Sequence, residues 1–72
     1  MFLGTDKQEI INFRNIKKIY VKEVSPTTSV ILADDFDNHS YCIYSIAGEG
    51  EINDKFLELV ERIENQEILI SL

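Results

Sequence analysis

The chain has 72 residues, 44% of them hydrophobic, and thirteen acidic against seven basic side chains give it a net charge of −6. A chain this short buries only about 60% of the surface it exposes when unfolded, which limits it to one domain spanning residues 1–72. Its single cysteine, Cys42, excludes an intrachain disulfide and suits a reducing cytoplasm, and the acidic balance works against nonspecific attraction to phosphate backbones.

The first residues, Met1-Phe2-Leu3-Gly4-Thr5-Asp6, lack a basic stretch followed by an apolar one. No run approaches the roughly 18 apolar residues that span a bilayer. Neither secretion nor membrane insertion is therefore expected, and a cytoplasmic location is. From Glu9 to Val24 the chain is rich in Ile, Phe, Tyr and Val, with Asn12 and Asn15 bracketing Phe13-Arg14. This predicts a short strand, a turn and a longer strand. In the longer one, period-two alternation sets Ile19 and Val21 on one face and Lys18, Tyr20 and Lys22 on the other.

Pro26 fixes its own φ, has no N–H for a ladder and biases Ser25 away from helix, so Ser25-Pro26-Thr27-Thr28 reads as a turn. A strand follows from Ser29 to Ala33. Asp34 to Asn38 reads as a polar hairpin loop, since Asp and Asn bond to their own backbone and tolerate turn conformations. The next strand, Ser40 to Ile46, alternates as Tyr41, Ile43 and Ser45 against Cys42, Tyr44 and Ile46. Both faces are then substantially apolar, which predicts a core on one side and a helix, a loop or another subunit on the other.

Gly48-Glu49-Gly50 breaks the pattern. After it Ile52, Phe56, Leu59, Val60 and Ile63 recur at steps of three and four, the stripe of an amphipathic helix. Asn53 is the expected N-cap, Asp54 suits the first turn, Ile52 is placed to staple onto Leu57, and Glu58 and Arg62 form an i,i+4 pair. The closing Glu67-Ile68-Leu69-Ile70-Ser71-Leu72 is too apolar to hang in water and reads as a short terminal strand. The expected fold is α+β: a small antiparallel sheet of three to five strands, with one C-terminal helix packed on a face of it and a short terminal strand.

Several residue sets invite a chemical reading. Asp35, Asp37 and Asn38 resemble a piece of a calcium loop, but the turn glycine and the closing bidentate glutamate are missing, which leaves a solvated turn. His39 and Cys42 lie three apart on a strand and so face opposite ways; with one His and one Cys in the chain, no metal site or nucleophile–base pair is expected. Gly48-Glu49-Gly50 lacks the third glycine and the lysine of a phosphate loop. Glu58, Glu61, Glu64 and Glu67 make a solvated helix face without the burial that tunes a general acid. No cofactor is expected, and no catalytic residue.

Charge is unevenly placed. Through Glu23 the chain carries Lys7, Arg14, Lys17, Lys18 and Lys22 against three carboxylates; beyond it Lys55 and Arg62 face ten. The candidate interaction surface is Arg14, Lys17, Lys18, Tyr20 and Lys22, where cations around an aromatic ring suit a protein partner or, as the alternative, single-stranded nucleic acid. Ile68, Leu69, Ile70 and Leu72 are the candidate oligomer contacts. The leading expectation is a non-enzymatic protein–protein interaction module that self-associates as a homo-oligomer, with nucleic acid disfavoured and no membrane partner.

The run Asn12, Ile16, Ile19, Pro26-Thr27-Thr28, Val30, Leu32 and Tyr41 with the closing helix resembles the short flagellar-operon FlbD-like family, and is similar to several uncharacterised small bacterial β-rich proteins. The likeness covers about two-thirds of the chain. It departs from the family in the longer Asp34–Asn38 loop, the Gly48-Glu49-Gly50 junction and the Ile68–Leu72 tail. What the resemblance implies is a small sheet plus a helix, and no functional residue.

Overall fold

The computed structural model describes residues 1–47 and 51–72. It is an α+β fold in chain order β1 (Phe2–Gly4), β2 (Ile10–Asn12), a 3-10 turn (Phe13–Asn15), β3 (Ile16–Ser25), β4 (Thr28–Asp35), β5 (Ser40–Ala47), α1 (Glu51–Glu64) and β6 (Leu69–Ile70). The strands divide between two three-stranded sheets, ordered β2-β1-β6 and β3-β4-β5. The reading of Gly48-Glu49-Gly50 as a junction lies outside the described residues.

The larger sheet is an antiparallel meander, as the short turns require. Ser25 pairs with Thr28 around Pro26-Thr27. The second hairpin closes with the Asp35 N–H donating to the His39 carbonyl at 2.9 Å and the Asn38 N–H to the Asp35 carbonyl at 3.3 Å. Asn38 takes φ 65° there, a left-handed conformation that asparagine tolerates. The loop Thr5–Glu9 between β1 and β2 repeats the design: Thr5 N–H reaches the Glu9 carbonyl at 2.8 Å, with Gln8 at φ 65°. Both are three-residue hairpin loops that finish on a left-handed residue.

Strict alternation fails in β5. Cys42 pairs with Leu32 and Tyr44 with Ile31, so Ile43 is an extra, bulged residue. The bulge turns Tyr44 and Ile46 to the same side as Tyr41 and Ile43, where all four pack on the core. The two apolar faces expected of this strand are thus one apolar face, with Cys42 and Ser45 left on the other.

The smaller sheet was only half visible in the pattern. Residues 2–4 carry no strand signal of their own, yet β1 is its central strand, antiparallel to β2 and parallel to β6. The parallel β1–β6 pair departs from the expected all-antiparallel pairing, and the whole of the intervening chain is its connection. Leu3, Ile70 and Leu59 are fully buried with Ile31 and Ala33, so both sheets and α1 share one core.

In α1 the apolar stripe buries Ile52 and Leu59, with Phe56 and Ile63 packed against the same cluster. The helix begins at Glu51, which places Asn53 inside it as the third residue; Asn53 is not the N-cap, though Asp54 does lie in the first turn. No staple forms, because Ile52 points into the core while Leu57 is exposed. The helix ends on Gln66 at φ 55°, whose N–H reaches the Ile63 carbonyl at 3.0 Å, while the Glu67 N–H reaches that of Arg62 at 3.3 Å. This is the double hydrogen bond of a Schellman cap, with glutamine where glycine is usual.

Candidate functional surfaces

The basic constellation is partly dispersed by the fold. Arg14 sits in the 3-10 turn, and Lys17 occupies a bulge of β3 between the Ile16–Asp35 and Lys18–Asp34 pairs. The Lys17 ammonium donates to Asn38 Oδ1 at 2.9 Å. Lys18, Tyr20 and Lys22 do share the outer face of the larger sheet, opposite the core. Lys18 lies over the Tyr20 ring, 4.9 Å from its centre, and 3.7 Å from Asp34 Oδ2.

Asp34, unforeseen in this role, organises that face. Its Oδ1 accepts from the Ser40 hydroxyl at 2.6 Å and from the Tyr20 hydroxyl at 3.2 Å. These hydrogen bonds, Ser40 first, and the nearby lysines hold its carboxyl below the ordinary 3.8. The signal was available in the register, because Lys18 and Asp34 are cross-strand partners. Of the lysines on this face, Lys22 has no ion-pair partner among the described residues.

Asp35 is buried on the core side and ties the β4–β5 hairpin together. Oδ1 accepts from the backbone N–H of His39 at 2.8 Å and of Asp37 at 2.9 Å, and Oδ2 from the Tyr41 hydroxyl at 3.2 Å. The backbone bond from His39 leads in holding its carboxyl below 3.8, and the same carboxylate pushes the Tyr41 phenol up. His39 Nδ1 is 3.4 Å from Asp35 Oδ2. The ring therefore serves the hairpin.

Cys42 lies on the other side of the sheet, beside the Thr5–Glu9 loop, whose Asp6 N–H donates to the Cys42 carbonyl at 2.9 Å. A shallow cleft of about 280 Å³ between that loop and β5 is lined by Asp6, Glu9, Leu32 and Cys42 among others. Burial first, and then Asp6, push the Cys42 thiol up to about 11. A thiol so disposed is almost wholly protonated near neutral pH and a poor nucleophile.

Of the acidic set Glu58, Glu61, Glu64 and Glu67, Arg62 engages Glu58 and Glu67. Its Nε donates to Glu67 at 3.0 Å and its Nη1 to the Ser71 carbonyl at 2.9 Å, with Glu58 at 3.8 Å. The expected Glu58–Arg62 pair is present, and the same guanidinium also ties α1 to β6.

The four candidate oligomer contacts separate. Ile70 is fully buried, so its side chain is not at the surface, and Leu72 is half-buried against the core; both pack there because β6 pairs with β1. Leu69 and Ile68 stay outside, 47% and 80% exposed. Register places Leu69 beside Phe2, 42% exposed, and pairs Gly4 with Ile10, 64% exposed. A Cβ on Gly4 would meet Ser71 Oγ at 3.4 Å. The outer face of the smaller sheet is therefore Phe2, Gly4, Ile10, Asn12, Leu69 and Ser71, without a charge. Phe2 and Ile10 were missed because their significance depends on the pairing of the two ends of the chain.

No protein-family model, curated protein or solved structure matches the chain. Among the described residues, no helix is long and apolar enough to cross a membrane.

Proposed function

We propose that this is a non-enzymatic interaction protein of the cytoplasm that works as a homo-oligomer, its copies meeting through the outer face of the smaller sheet. One observation carries the reading: an uncharged face bearing exposed Phe2, Ile10 and Leu69, on a chain in which 28% of residues are charged and the net charge is −6. Two like-charged copies approach with least repulsion where neither presents a charge, and a face that meets itself across a two-fold axis needs only to be complementary to itself. The face is small beside the roughly 800 Å² per partner of a standard interface, which favours a weak dimer in fast exchange. The protonated Cys42 thiol and the fully engaged Asp34 and Asp35 favour the absence of catalysis, since none is poised to exchange a proton near neutral pH.

Sedimentation velocity over protein concentrations from about 10 μM to 1 mM brackets the affinities expected of such a contact. The sedimentation coefficient of the natural chain is expected to rise with concentration, and that of Leu69→Glu, which places a carboxylate on an exposed site, to stay at the monomer value. A natural chain that remains monomeric throughout ends the reading. Single-stranded nucleic acid along Lys18, Tyr20 and Lys22 is disfavoured by Asp34, which sits among those side chains and competes with phosphate for Lys18. Salt-sensitive retention on single-stranded DNA would reverse that preference.

A further inference from the structure

We infer that the free edge of β3 is a docking strand for an extended, acidic segment of another protein, which adds to the larger sheet as a fourth strand. The inference does not depend on self-association, since it uses a different sheet.

β3 is ten residues long and pairs on one side only, with β4. The Ile16 N–H closes the 3-10 turn on the Phe13 carbonyl, and among the described residues no backbone group of Lys17–Ser25 is bonded to anything beyond that hairpin. An exposed row of unpaired N–H and C=O groups is a template for a further strand. The other edges are poorer templates. On β5 the Asp6 N–H already occupies the Cys42 carbonyl, whereas β3 pairs regularly from Lys18 to Glu23, between its own bulges at Lys17 and Val24. The edge strands of the smaller sheet are three and two residues long.

Side chains specify the occupant. β3 carries three lysines and one glutamate, a net charge of +2 on a chain of net charge −6. Two copies pairing edge to edge would therefore bring like charges to the seam, which is how lysines on an edge discourage self-pairing. A foreign strand lies in the same pleat, so its alternate residues fall on the two faces of the sheet. Those on the outer face sit next to Lys18, Tyr20 and Lys22, where carboxylates are favoured, with Lys22 in no ion pair among the described residues and Lys18 60% exposed. Those on the core face sit next to Ile19 and the exposed Val21, where aliphatic side chains are favoured. The partner chemistry is thus a segment alternating acidic and aliphatic residues.

The test uses the full chain, ¹⁵N-labelled, and a capped peptide alternating valine and glutamate. Two control peptides are used, one of the same composition with its glutamates grouped, the other with lysine in place of glutamate. Binding is followed by amide shifts and hydrogen exchange. The alternating acidic peptide is expected to bind and to slow exchange of β3 amides that exchange freely in the unbound protein. Lys22→Glu should weaken it about tenfold, the effect of reversing one charge beside a partner carboxylate. Running the series in Leu69→Glu as well keeps any dimer out of the readout. Absence of binding would overturn the inference. So would binding without protection of β3, equal binding of either control, or β3 amides already protected in the unbound protein as its concentration rises, which would identify a second copy as the occupant.

Discussion

At the residue scale, Asp35 concentrates more local structure than any other side chain. Its four neighbours, the backbone N–H groups of Asp37 and His39, the Tyr41 hydroxyl and the His39 ring, all favour the ionised form. Its folded-state value lies below the ordinary 3.8, so the unfolded chain binds this proton more readily. Stability from Asp35 is then fully present above that ordinary value and is lost as pH falls through the lowered one; Asp34 acts with the same sign. Thermal melts from pH 7 down to about 2.5 should show Tm falling steeply only below the ordinary carboxylate range. In Asp35→Asn, whose amide oxygen still accepts from both backbone N–H groups, the acid limb should flatten. An unchanged acid limb in that variant would assign the effect to other carboxylates. None of this was legible in Asp34 to Asn38 read as a polar loop, because a polar run indicates a turn without saying which carboxylate points inward.

Elements were legible in proportion to how many residues repeated one period. The helix showed five apolar positions on one stripe, though its start at Glu51 lies three residues before the one that an Asn53 cap implied, while β3 showed alternation from Lys18 to Lys22. β5 misled because a bulge inserts one residue into a two-residue period and moves every later side chain to the other face. The end of the helix gave no signal at all, since its left-handed cap is Gln66 rather than glycine. That choice has a cost. A left-handed conformation disfavours any side chain with a Cβ, so Gln66→Gly is expected to raise stability by about 0.5–1 kcal/mol, the gain in cap geometry outweighing the extra freedom of the unfolded chain. Urea unfolding should show a higher midpoint at unchanged slope; a lower midpoint would mean that the glutamine side chain contributes more than its backbone loses.

On the scale of the whole molecule, the feature least legible in the sequence is the one that closes the fold. Two residues of β6 and three of β1 have no periodicity to read, and they meet across almost the full length of the chain. They are nevertheless the source of Leu3 and Ile70, two of the largest fully buried side chains, and Arg62 holds the strand after α1 in place through Glu67 and Ser71. A small chain has little stability to spare, about 5 kcal/mol, and an Ile→Ala change at a fully buried site costs about 2–5 kcal/mol. Ile70→Ala is therefore expected to leave the protein marginal, and removal of Ile68–Leu72 to unfold the larger sheet together with the smaller one. Circular dichroism and hydrogen exchange of the shortened chain distinguish the two possibilities. Uniform loss of protection, including Ile31 and Ala33 in β4, is the result expected of a single core shared by both sheets. If β3, β4 and β5 kept native protection, the meander and helix would be an independent unit, and the smaller sheet an appendage whose exposed face could be lost without harm to the rest.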